Sequence, residues 1–310
     1  MKNYRIQGQF RTLSPLSHIG DSISTNTYLV EEPIIQDDGS IESVFSYSGN
    51  AWRGQLRDLA AQYMLEKINA TVSLDAFHLL FSGGKIGGKQ VIDLDQVRNM
   101  RKYVPLVGLF GGGIGNQLVQ GKMRVGSSYP VCKETAFMLP PELKKMATSL
   151  SYADMTLEKS FTRFDDSKNN DLIDHVRFDD LPLIGSDKKK GDDVSTQMRM
   201  TSELLAAGVV LYHQVDLLAA TEQELGCLVS ALTRFADSPF IGGQCNKGHG
   251  QVMYQCLLDN QTLLTVQNSS VELSDEAENA KESYDRLLLE QYDKFLADNT
   301  SDIAKLLGSP

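Results

Sequence analysis

The chain has 310 residues, of which 41% are hydrophobic and 23% charged, with a formal net charge of −10. That is the make-up of a water-soluble globular protein with one large or two ordinary domains. No stretch approaches a membrane span, MKNYRIQGQF lacks the apolar centre of a secretion signal, and the four cysteines (132, 227, 245, 256) form no CxxC pair, so a disulfide framework and a zinc knuckle are disfavoured and the cytoplasm is the expected compartment.

In chain order, Tyr4–Thr12 alternates, with Tyr4, Ile6, Gly8 and Phe10 on one side, and reads as a half-buried strand. It runs into the Ser-, Pro- and Gly-containing loop SPLSHIGDS. A weaker strand over 27–35 ends at the turn Asp37-Asp38-Gly39-Ser40. A helix follows over 53–68, with Leu56, Leu59, Ala60, Tyr63, Met64 and Ile68 on one face and Asn50 as its cap. From 71 to about 200 the pattern is irregular. The Gly-rich patches SGGKIGGK and GLFGGGIG separate short strand-like pieces, and 161–199 reads as an exposed excursion rich in Asp and Lys. A strand-like segment over 203–218 precedes a helix beginning at Thr221. Glu224 takes the capping-box position there, and Leu225, Leu228, Val229, Leu232 and Phe235 line a face. The loop IGGQCNKGHGQV leads into a strand over 251–257, and an amphipathic helix is expected over 275–297. Two βαβ-like halves of this kind predict an α+β fold with a ferredoxin-like sheet, an architecture shared with the RNA recognition motif.

Acidity is unevenly spread. Residues 272–310 hold ten acidic and four basic side chains, a net of −6 that leaves −4 for the other 271 residues. The body of the chain can therefore meet a polyanion locally, though it cannot coat one by charge alone. Arg53 and Arg57 lie one turn apart at the start of the first helix, where cations oppose the dipole unless an anion lies nearby. Solvated surface arginines pairing with Asp58 or Glu66 are the plainer reading of the two positions taken alone. GLFGGGIGNQ lacks GxGxxG spacing and no GxxxxGK[ST] occurs, so a nucleotide-cofactor site is disfavoured and a flexible loop is expected at 108–115. Cys245, His249 and Cys256 lack metal-ligand spacing, and no hydrolase motif is present. Asp21, Asp37 and Asp38 read first as turn formers. Neither a metal nor another cofactor is expected.

Four short motifs fall in one order: SPLSHIG after the first strand, GNAWRGQLR opening the first helix, ELLAAG before a later strand, and IGGQCNKGHGQV before the last. LFGGGIG, GKMRVG and TLEKSFTRFD lie between them. This order resembles the repeat-associated (RAMP) superfamily of CRISPR systems, specifically the backbone subunits of the seventh Cas family, over nearly the whole chain to about residue 258. The resemblance implies a modified RNA-recognition palm over 1–258, with a fingers insertion at about 70–150 and a thumb at about 161–199. An acidic helical extension over 259–310 would then lie outside the family pattern. It also implies that copies stack head to tail along a guide RNA (crRNA), with a complementary target nucleic acid and other CRISPR effector subunits as partners and no membrane.

Guide binding of this kind needs glycine loops and cations against the backbone while the bases stay free for pairing. The implied RNA contacts are His18, Gly20, Asn50, Trp52, Arg53, Arg57, Arg124, Arg163, Lys168, Gly242, Gly243, Gln244, Lys247, Gly248 and His249. Type III members cut target RNA with an aspartate between the first strand and the first helix. Here Asn26 or Thr27 stands at that place, and neither is a carboxylate. The resemblance therefore implies a type IV-like subunit that binds without cutting. Asp21 keeps a metal-dependent RNA endonuclease as the alternative, and an RNA-free interaction protein is the third reading.

Overall fold

The computed structural model describes residues 1–69, 71–84, 94–114, 117–147, 149–162 and 199–297. Arg163 and Lys168, and nearly all of the expected thumb, fall outside these residues.

The first expected strand is β1 (Lys2–Thr12), whose Tyr4, Ile6, Gly8 and Phe10 are buried while Arg5 is exposed and Gln7 and Gln9 are half-buried. The segment over 27–35 is two strands. β3 (Asn26–Leu29) pairs with β2 (Ile19–Ile23), whereas β4 (Glu31–Ile35) pairs with β5 (Ile41–Phe45) in a separate hairpin. The first helix, α1 (Gly49–Ile68), starts four residues earlier than its apolar face suggests. Its cap is Ser48, whose Oγ accepts from the Asn50 N–H, so Asn50 lies inside the first turn rather than capping it. Ser48 out-competes Asn50 because its short hydroxyl reaches the orphaned amides two residues on.

Residues 108–114 of the expected flexible loop at 108–115 are regular helix and strand. After α2 (Leu74–Ser82) and α3 (Leu94–Tyr103), α4 (Pro105–Phe110) passes directly into β6 (Gly111–Ile114), which pairs with β7 (Gln117–Gln120). Gly111 adopts φ +71°, and a Cβ there would stand 2.4 Å from the Val119 carbonyl oxygen, so glycine permits the tight return of the chain. Then come β8 (Met123–Val125), β9 (Tyr129–Pro130) and α5 (Pro141–Ala147).

The segment over 203–218 is also two strands. β11 (Arg199–Leu205) pairs with β10 (Thr156–Thr162), and β12 (Val210–Ala220) follows a turn at Gly208, φ +91°. α6 (Glu222–Phe235) carries the expected capping box between Thr221 and Glu224. β13 (Val252–Leu258) matches the last expected strand. The chain does not then turn helical: β14 (Gln261–Gln267) and β15 (Ser270–Leu273) extend the same sheet before α7 (Asp275–Ala297) begins.

The main sheet runs β15-β14-β13-β1-β12-β8, with β9 also on β12. Its centre interleaves two units, β1-α1-β8 and β12-α6-β13, all antiparallel, which is the ferredoxin-like arrangement. A second sheet, β10-β11-β3-β2, stands apart from it. Mixed helices and antiparallel sheets make the fold α+β.

The core centres on Phe10. Its ring meets Trp52 edge-on at 5.0 Å and Tyr254 at 4.7 Å, and stacks on His213 at 5.1 Å. Gly8 makes room for that imidazole, since a Cβ would stand 2.1 Å from His213 Nε2. Burial pushes the His213 pKa down to about 3, so the ring is neutral at pH 7. α7 docks over α1 and α6. Tyr63 Oη donates to Asp285 at 2.7 Å, Lys67 pairs with the same carboxylate at 2.9 Å, and Gly226 lets α6 approach the Ala280 carbonyl.

Candidate nucleic-acid interface

The Gly-rich loop over 241–250 closes on the SPLSHIG loop at one end of the main sheet. The Gly243 N–H donates to the Ser17 carbonyl at 2.6 Å, and the Gly250 N–H donates to the Pro15 carbonyl at 2.8 Å. Two of its glycines are required by close backbone approaches, one to that loop and one within its own. Gly242 has φ +76° and a Cβ there would stand 2.2 Å from the Ser17 oxygen; Gly250 has φ +84° and would meet the Ile241 oxygen at 2.1 Å. Gly248 differs: it has φ +80° with open space where a side chain would be, and Gly243 is only loosely approached. Gly242 is thus fixed by its approach to the SPLSHIG loop and Gly250 by a close contact within its own loop, whereas Gly248 stands exposed in open space.

Lys247 and His249 flank Gly248. The Lys247 ammonium sits 3.9 Å over the Phe161 ring at the end of β10, a cation–π contact that fixes the charge at the loop surface. His249 is buried, and its pKa is lowered by that burial and then by the charges of Lys159 and Lys247. It is therefore neutral at pH 7, with Nδ1 unpartnered among the described residues. Gln244 holds φ +59° at the start of the short 3-10 turn Cys245–Lys247. Lys159 and Phe161 were not among the expected contacts. The strand alternation of TLEKSFT was the available signal, because it places Lys159, Phe161 and the adjacent loop on one edge.

His18 links these loops to α1. Its Nε2 accepts from the Ser48 N–H at 3.4 Å, its ring lies 5.0 Å from Tyr47, and burial lowers its pKa. Gly20 is exposed on β2, and Asn50 is exposed in the first turn of α1. Gln55 then ties α1 to the second loop by donating to the Phe240 carbonyl at 2.8 Å. His18, Gly20, Asn50, Gly243, Gln244, Lys247, Gly248 and His249 are thus brought to one end of the sheet.

Other expected contacts are not at this surface. Trp52 has no exposed area and packs against Phe10, Phe235 and Tyr254, so its place in the motif serves the core. Arg57 is buried and donates to the carbonyls of Leu79, Leu80 and Gly111; burial, then the Arg53 charge, push its pKa down to about 10. Its guanidinium gathers α2 and the start of β6 onto α1. Arg53 donates to the Phe110 carbonyl while its side chain reaches a cavity on the far side of α1. Arg124 is exposed on β8, opposite Asp216 of β12.

The metal reading of Cys245 and Cys256 fails on geometry, since Cys256 is buried in β13 and Cys245 is exposed in the loop. Among the described residues, no three His, Cys, Asp or Glu side chains converge as a metal site. Asp21 is exposed on β2, and Thr27 donates to Ser202 at 3.0 Å. No helix among the described residues is long and apolar enough to cross a membrane.

No protein-family model matches the chain, and no curated protein matches it. Among solved structures, it is similar to a chain of one described as "Type IV-B CRISPR Complex", with a TM-score of 0.58 and 22% sequence identity. The likeness covers 82% of this chain and 90% of that one, and it shows a shared fold.

Proposed function

We propose that this protein is a backbone subunit of a class 1, type IV CRISPR complex, which holds a guide RNA by its sugar-phosphate chain and does not cut the target. The observation that carries the reading is the loop end of the palm. There Lys159, Lys247 and the exposed loop backbone over 245–248 form a narrow cationic strip, bounded by His18 and the start of α1. Such a strip offers charge and main-chain donors with few groups able to read base edges, which suits a strand whose bases must remain free. The shared fold with a chain of a type IV-B complex supports the assignment of class and subtype. Repeated copies along the guide, and association with other effector subunits and a complementary target, belong to the same proposal.

The non-cutting reading rests on Asn26 and Thr27. An amide and a hydroxyl supply no anion for a metal ion and no strong base. Incubating the assembled complex with a complementary RNA and Mg²⁺ tests it, because regular cleavage abolished by Asp21→Ala would establish the endonuclease alternative. RNA binding itself is tested by anisotropy of a labelled single strand. Lys247→Glu should weaken binding more than tenfold, and log K should fall steeply with log salt for wild type. Unchanged affinity in that variant would refute the proposed strip.

A further inference from the structure

On the other side of α1 lies an open cavity of about 500 Å³, lined by Arg53, Arg101, Gly121, Lys122, Arg124 and Ala219 among others. Among the described residues, no acidic side chain is in the lining. Each of the two inner arginines is held by the backbone: Arg53 donates to the Phe110 carbonyl, and Arg101 donates through one Nη to the Gln120 carbonyl. A guanidinium carries five N–H donors, so one carbonyl leaves the others of Arg53 and Arg101 to be satisfied. Arg101 Nε is buried without a partner among the described residues. Lys122 is different, because the buried Glu224 carboxylate takes its charge at 2.7 Å. Asp216 faces Arg124 across the β8–β12 ladder, but Arg5 Nε already pairs with that carboxylate at 3.0 Å. Among the described residues, the three arginine charges of the cavity have no carboxylate of their own. Burial lowers the Arg53 pKa, as expected for a cation desolvated without an anion beside it.

Glycine shapes the floor. A Cβ at Gly121 would stand 2.6 Å from the Leu109 oxygen, so only glycine lets the bend at 120–122 press against the end of α4 and bring Arg101 and Lys122 to the same wall. Pre-positioned guanidiniums, fixed by main-chain carbonyls, suit the planar pairs of oxygens on a phosphate. We propose that this cavity is a phosphate-binding site, organised by Arg101 and Arg53 and distinct from the loop strip. The phosphate comes from the bound RNA, a source that rests on the function proposed above, or from a free nucleotide.

Two ligands and three variants test it. Wild type, Arg101→Gln, Arg101→Lys and Lys247→Glu are titrated with a labelled single-stranded RNA by anisotropy, and with radiolabelled AMP by equilibrium dialysis. Gln at 101 can still donate to the Gln120 carbonyl, and circular dichroism checks that each variant folds. With RNA as the source, Arg101→Gln should lose three- to tenfold in affinity and make the log K–log salt slope shallower by about 0.7. Arg101→Lys should recover part of that loss. AMP binding that depends on Arg101 while RNA binding does not would assign the cavity to a free nucleotide. If neither ligand senses Arg101, the cavity is not a phosphate site, and a loss of RNA binding in Lys247→Glu would leave the loop strip standing. Arg101-dependent AMP binding in a protein that binds no RNA would keep the cavity and reject the guide-binding role.

Discussion

Replacing Gly242 by alanine separates what the loop glycines do for the fold from what they offer a ligand. Holding alanine at φ +76° costs about 1–2 kcal/mol for the left-handed backbone alone. The new Cβ would also lie 2.2 Å from the Ser17 oxygen, so the SPLSHIG loop must withdraw. That strains or breaks the Gly243-to-Ser17 hydrogen bond, a further loss of about 0.5–1.5 kcal/mol. The sum is about 2–3 kcal/mol. Gly248→Ala meets the same conformational cost at φ +80° with no clash, and so should cost only about 1–2 kcal/mol. Urea unfolding followed by tryptophan fluorescence suits the comparison, because Trp52 is buried beneath these loops. Under the proposed function the order reverses for RNA affinity measured on folded protein: Gly248→Ala crowds the exposed strip directly, whereas Gly242 faces Ser17. Equal destabilisation by the two substitutions would refute the distinction between a packed Gly242 and an open Gly248.

Two further outcomes follow from buried charge. His213 titrates at about 3 in the folded protein, against an ordinary imidazole value of 6.5. Between those values the unfolded chain binds a proton that the folded chain refuses, so stability falls as pH drops through this window, by as much as about 5 kcal/mol. His213→Phe, which keeps a flat ring beside Phe10, should flatten the pH dependence of urea stability by about one proton between pH 4 and 6, and an unchanged slope would place the titration elsewhere. Glu224→Gln keeps a side chain at the capping box but leaves Lys122 without its partner. It should destabilise the protein by about 3 kcal/mol in the same assay, and a loss below about 1 kcal/mol would mean that Lys122 swings out to solvent.

The elements with strong periodicity were legible in the sequence, and those defined by distant partners were not. β1 and α6 announce themselves by alternation and by the Thr221/Glu224 capping box. The break at Val30 between β3 and β4 carries no turn residue; it exists because β3 joins β11 while β4 pairs with β5. The sequence suggested that Arg57 and Trp52 faced outward, because helix-start arginines and a motif tryptophan resemble ligand contacts. Only the positions of the Leu79, Leu80 and Gly111 carbonyls reveal that Arg57 is internal. The loop at 241–250 was recognised from its composition, yet the partner of two of its glycines proved to be the Ser17 and Ile241 backbone. Arg101 was invisible as a site residue, since its cavity is assembled from α1, α3, β8 and the end of β12.

The interleaved order β13-β1-β12-β8 also dictates how the chain comes to be folded. β1 has no local partner: Ile6 lies beside Val215 on one edge and Leu258 on the other. At a synthesis rate of about 5–20 residues/s, the ~250 residues between Ile6 and Leu258 take on the order of 10–50 s to emerge. For most of that time both edges of β1 are bare, a template for unwanted pairing. The centre of this sheet is therefore closed by pairings between nearly opposite ends of the palm, and it forms late rather than strand by strand.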